Sequence, residues 1–316
     1  MGKDELSRKQ SMVRDTFNEI KEEMAGRDFD SIDEANAFLQ TFMERKNREP
    51  AQGFLGISPD QMHRMLSRPY DGTSDIVDFN VGLPPSEFQT IPVVMRVLIF
   101  LNALSESEPV KATKKGNLSL GFSRDLAEKM YDNERFPWFR RTKSEEDMTE
   151  VLSIRHILTM CGWIKKRKGA FSLTKNGRAI VDGGFGGEHY FKLLKIFTTE
   201  FNWGFQDGYP EFYIIQQSFL FSLYLLKKKA MDYVDGRVIA NCLIGAYPQM
   251  LAEVVETYKP AYEIVSDCVE LRVLERFGVY FGLLVEKKED LKDSYRKRIF
   301  VKTTDFFRRF ISWHIV

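Results

Sequence analysis

The sequence predicts a mainly α chain of tandem winged-helix domains, each a helix-turn-helix plus β-hairpin, with an N-terminal helical extension. Three observations carry this. Residues 144–181 read as a helix, a hairpin and a short closing helix. The apolar and turn segments of 91–181 run helix, strand, helix, helix, strand, wing, strand. The stretch 212–311 follows the same plan less regularly, so AFSLTKNGRAIV has a counterpart in RIFVKTTDFFRRFI. The expected division is 1–90 (helical extension and connector), 91–182 (first winged domain) and 183–316 (an aromatic-rich helical segment and a second winged domain).

The extension opens with a charged amphipathic helix over 4–25. Leu6, Met12, Val13, Phe17, Ile20 and Met24 can share one stripe. That stripe docks on the body or joins two chains. Ser31-x-x-Glu34 starts a helix over 33–46 with a capping box. Ser58-Pro59-Asp60-Gln61 starts the next: Ser caps, Pro suits the first helical position and Gln reaches back. His63 on that helix has no second ligand near in sequence, so it reads as structural. Residues 72–90 are a turn-rich connector with a short strand at 76–79.

Pro92–Leu104 is the expected first helix of the winged domain, Val110–Thr113 its first strand and Phe122–Tyr131 its second helix. The insertion 133–143 mixes Arg135, Arg140 and Arg141 with Phe136, Trp138 and Phe139, either to plug the core or to stack on a single strand. Ser144 opens the expected recognition helix. Its apolar face is Val151, Ile154, Ile157, Leu158 and Cys161. Trp163-Ile164 and Ala170–Leu173 flank a turn and read as strands. Asp182–Gly187, glycine-rich but lacking a phosphate-loop Lys-Ser/Thr, reads as a flexible linker. Beyond it, twelve aromatics between Tyr190 and Tyr224 at helical spacing are core. The second plan uses helices over 212–228, 235–244 and 260–277, strands at 279–285 and 298–301, and a closing helix at 303–311.

Charge singles out the hairpin. No acid lies between Val151 and Val181, while that span holds Arg155, Lys165, Lys166, Arg167, Lys168, Lys175 and Arg178. These, with His156 on the outer face of the recognition helix, are the expected nucleic-acid-binding residues, acting mainly on phosphates. Glu145, Glu146, Asp147 and Glu150 at the start of that helix oppose phosphate, which moves the weight to the hairpin and Arg178. A protein-interaction or self-association module, using the acidic helix faces and the N-terminal helix, is the alternative.

Three segments also resemble a known family. SPDQMHRML within 53–71, VKATKKGNLS (110–119) and RKGAFSLTKNGRAIV (167–181) are similar to an uncharacterised bacterial family with an S-P-x-Q-M-H-R-L-L motif, an L-T-x-x-G-x-L turn and a winged hairpin. Ala112 stands where that family tends to have Leu. The resemblance covers about a third of the chain. It implies a winged-helix-like region and carries no activity or catalytic residues.

Composition bounds the rest. Apolar residues make up 43% and charged residues 29%, as expected of a soluble globular chain. The net charge of +1 creates no global field, so any attraction to nucleic acid is local. Three separated cysteines without C-x-x-C argue against a disulfide framework or a zinc site, and suit a cytoplasmic protein. The first residues lack the apolar run of a signal peptide, and no run is long enough to span a membrane. The four histidines are isolated, and no hydrolase, metalloprotease, kinase or P-loop motif occurs. The expectation is a non-enzymatic chain without cofactor or metal.

Overall fold

The computed structural model describes residues 18–131, 141–255, 259–290 and 297–315. Of the described residues 58% are helical and 11% lie in strands, the strands forming small antiparallel sheets. This overturns the mainly α tandem winged-helix expectation: the chain is mixed α/β. The departure is clearest in a sheet the tandem plan does not contain. There β1 (Val77–Phe79) pairs with β8 (Ile311–Trp313), joining the connector to a segment more than two hundred residues away. Periodicity within a segment reports which face is buried and carries nothing about the strand that will cover a distant edge.

Residues 18–25 are helical, and Glu19 and Glu23 bridge Lys46 and Arg45 on α1 (Ile32–Arg48). Leu6, Met12, Val13 and Phe17 of the expected stripe lie outside the described residues. Both expected starts, at Ser31 and Ser58, are capped, but of the two only Ser58 forms the full capping box; at the first the Glu34 carboxylate accepts from Asp30 N instead of Ser31 N. Ser31 Oγ accepts from Glu34 N at 3.1 Å. Ahead of α2 (Pro59–Ser67), Ser58 and Gln61 exchange bonds of 3.2 and 3.0 Å.

The first three-stranded sheet has the order β2 (Val110–Lys111), β4 (Ala170–Leu173), β3 (Ile164–Arg167). It packs with α3 (Pro92–Ser107), α4 (Leu120–Met130) and α5 (Thr149–Met160). The acids before α5 form a separate 3-10 turn, Glu145–Asp147, because Asp147 accepts from the N–H groups of Lys143 and Ser144 and the chain breaks at Met148. The second sheet has the order β5 (Val234–Asp235), β7 (Lys297–Thr303), β6 (Leu284–Asp290).

The expected linker is a packed turn. Its first residues finish α6 (Lys175–Gly183), and Gly187 begins α7 (Gly187–Thr199). Phe185 between them is 3% exposed, edge-on to Trp163. A Cβ on Gly187 would lie 2.0 Å from the Val81 carbonyl oxygen, so glycine is what permits the contact.

One apolar core runs through the chain. At its centre Tyr190 meets Phe88, Phe306 and Phe310 at 5.3, 5.3 and 5.0 Å, and its hydroxyl donates to the Phe281 carbonyl at 2.7 Å. Most of the aromatics between 190 and 224 are buried as expected; Tyr213 is exposed. The long helix expected over 260–277 changes pitch. After α8 (Ala261–Val269) it continues as a π-helix, Glu270–Val279.

Candidate nucleic-acid interface

The hairpin turns through Lys168 and Gly169, with φ of +50° and +74°. Arg167 pairs with Ala170, so this is a two-residue loop with both central residues left-handed, a geometry that suits the twist of the strands. Ile164 points into the core while Lys165, Lys166, Arg167 and Lys168 are exposed. Lys166 lies along the buried face at the sheet margin. Its ammonium stands 5.9 Å from the Phe171 ring centroid and donates to the Gly116 carbonyl at 3.3 Å. The stem therefore covers apolar surface and the charge stays at the rim.

Among the described residues no carboxylate pairs with Lys165, Lys166, Arg167, Lys168 or Lys175. Lys175 is exposed on the first turn of α6, where Thr174 Oγ1 caps Gly177 N at 3.1 Å.

The other three expected contacts are placed differently. Arg155 is 8% exposed. Its Nε donates to Glu145 Oε1 at 2.6 Å, and the second Glu145 oxygen accepts from Leu118 N at 2.8 Å. Arg155 is thus an internal strut between α5 and the turn before it, and it does not reach a partner. Both charges of the pair are met inside the protein. His156 is half-buried, its ring 5.7 Å from that of Phe205. Burial, with the Arg155 charge beside it, holds its pKa below the ordinary value, so at neutral pH it brings no charge to a phosphate. Arg178 is exposed but bridges Glu108 and donates to Ser105 Oγ at 2.9 Å. Its charge is neutralised.

The fold adds cations that were not singled out. Lys111 on β2 is exposed and sits opposite Ala170. Ala112 N donates to Gly169 O at 2.8 Å, which lays the turn 113–117 beside the hairpin tip. That turn presents Lys114 and Lys115 to solvent. Glu146 is the neighbouring acid; it accepts from Asn117 Nδ2 at 2.9 Å and stands 4.0 Å from Lys115. The run KATKKG was the available signal. Its meaning depended on knowing that β2 pairs with β4.

The aromatic and basic insertion 133–143 lies outside the described residues apart from 141–143. No helix among the described residues is long and apolar enough to cross a membrane. No known protein family, curated protein or solved structure matches the chain.

Proposed function

We propose that this chain binds nucleic acid through phosphate contacts made by the basic hairpin and the adjoining lysine turn. The observation that carries the reading is the cluster itself. Lys165, Lys166, Arg167 and Lys168 share one end of a three-stranded sheet with Lys111, Lys114 and Lys115. Among the described residues, Glu146 is the one acid bridged to any of these seven, and only to Lys115. Exposed like charges held together by strand pairing favour a polyanion, because binding releases its condensed counterions.

The contacts available are to the backbone, so the expected binding is weakly sequence-dependent. With Arg155 inside the protein and Arg178 paired, the hairpin and not α5 carries the interaction. The joint replacement K165S/K166S/R167S/K168S tests this. Affinity for random duplex and single-stranded DNA is expected to fall uniformly across sequences. For duplex DNA, the slope of log K against log salt flattens by roughly 3 to 4 if all four residues meet phosphates. The folded state is expected to change little, since exposed charges contribute little to stability. A wild-type protein that binds neither DNA at low salt would rule the proposal out, as would unchanged affinity in the variant.

A further inference from the structure

A second site lies away from the basic hairpin. A cleft of 380 Å³ opens between α5, the turn after α7 and the π-helix. Its volume falls in the range of small-molecule sites. One wall is aromatic: Phe201 and Phe205 stand 5.9 Å apart at 59°, with Trp203 and Tyr280 beside them. The opposite wall is the α5 face carrying Thr149, Ser153 and Ile157. The floor is set by the π-helix, in which Tyr280 N bonds to Glu275 O at 3.1 Å. Ten-residue π-helices are rare, and π geometry is frequent at functional sites.

Among the charges around the cleft, Arg276 is the cation with the most distant acid. Glu150 is held by Arg96, whose guanidinium lies 5.4 Å from the Tyr280 ring centroid. Glu275 shares Lys288, at 3.3 Å, with Glu286, at 3.2 Å. The fully buried Asp207 carboxylate gives both oxygens to Arg272, at 2.7 and 3.1 Å. Arg276 reaches that same carboxylate only at 3.8 Å, so it has no acid of its own. Its Nη1 donates to Phe205 O at 3.0 Å. Among the described residues its Nε and Nη2 have no partner, and its side chain is 32% exposed. That edge of a guanidinium matches the two oxygens of an acid group. Burial and the neighbouring Arg272 charge press Arg276 below the ordinary arginine pKa, the sense expected of an undercompensated cation.

We propose that this cleft binds a small organic acid with a flat aromatic body, the rings against Phe201 and Phe205 and the acid group on the free edge of Arg276. The site is independent of the nucleic-acid reading. The test uses 1-anilinonaphthalene-8-sulfonate and its uncharged counterpart N-phenyl-1-naphthylamine, which share the ring system and differ in the sulfonate. The sulfonate is expected to bind saturably at one site per chain by fluorescence titration. Arg276→Gln should weaken it about tenfold, the loss of one charge-assisted contact, and leave the neutral probe within about twofold. Ser153→Phe fills the cleft and should abolish binding of both. In the unmutated protein, labelled at isoleucine methyls, the Ile157 δ1 resonance should shift on adding the sulfonate. That reading stands even where a variant does not fold. Absence of saturable binding, an unmoved Ile157 methyl, full binding by folded Ser153→Phe, or equal weakening of both probes by Arg276→Gln would each overturn the proposal.

Discussion

Two ion pairs, one buried and one half-buried, show how the same residue types serve opposite ends. Arg155 and Glu145 neutralise each other inside the first half, and the Glu145 carboxylate also ties down Leu118 N. Arg155→Ala strands that carboxylate, which costs about 3 kcal/mol. Thermal or urea unfolding should show the loss, while DNA affinity per folded molecule stays at the wild-type value. A fall in affinity at unchanged stability would return Arg155 to the interface. Glu270 is the contrasting case. Burial raises its pKa from 4.5 to about 7, with Asp267 and Asp235 adding to the shift and Arg237 opposing it. Arg237 Nε stands 3.2 Å away, but Arg237 also gives its Nη2 to Asp267 at 2.5 Å, so its charge is shared. The folded state therefore holds this proton over a range where the unfolded chain has released it. The associated stability is complete below pH 4.5 and is lost as pH rises through about 7. Glu270→Gln removes the dependence. Relative to wild type it should gain on the order of 2 kcal/mol between about pH 5 and pH 8. Urea midpoints across that range decide the matter; a constant difference would mean that burial does not control this group.

At the scale of elements, close backbone approach fixes where the basic hairpin sits. Thr174 N donates to Trp163 O at 2.9 Å, and a Cβ on Gly177 would fall 2.0 Å from that same carbonyl oxygen. The first turn of α6 is thereby pressed on the end of the hairpin. Gly177→Ala has to push the helix away, at a cost of about 2 kcal/mol or more. Denaturant unfolding measures the stability. Faster amide exchange at Trp163 and Leu173 than at α3 residues would place the damage at the hairpin, and wild-type exchange there would show that the helix does not brace it. The hairpin itself was legible from Gly169 among lysines between two apolar pairs, but its first strand was not placed. Lys165, Lys166 and Arg167, read as turn, pair in the strand Ile164–Arg167 against Ala170–Leu173, and the turn is only Lys168-Gly169. The π-helix was not legible. The segment from Ala261 to Val279 has ordinary helical spacing of apolar residues, and the contacts its π-helical arginines make with Asp207 and the 203–211 turn lie more than sixty positions away in the chain.

For the whole molecule the decisive contacts are long-range. His314 N bonds to Ile76 O at 2.9 Å beside the β1–β8 pairing, and Tyr190 gathers aromatics from three separate stretches. With Phe185 buried in the glycine-rich turn, no open seam marks residues 183–187. Urea unfolding followed by tryptophan fluorescence and by circular dichroism should therefore give coincident transitions, as a single cooperative unit requires. Native proteolysis should spare 183–187 for the same reason. Two resolved transitions, or early cutting in that turn, would contradict a continuous core.

The sequence by itself determined the local facts: the capped starts at Ser31 and Ser58, the hairpin with its four adjacent bases, the apolar faces and the aromatic core. Each depends on neighbours a few residues apart, through capping bonds, turn geometry and side-chain period. Tertiary structure alone decided what those elements became. It joined β1 to β8 and made the chain mixed α/β. It turned a glycine-rich run into a packed turn. It buried Arg155 against Glu145 and paired the exposed Arg178 with Glu108, and it added Lys111, Lys114 and Lys115 through the pairing of β2 with β4. A charge is free or spent according to what stands within a few ångströms of it. For these residues the partner lies between ten and seventy positions away in the chain, where side-chain period and turn signals carry no information.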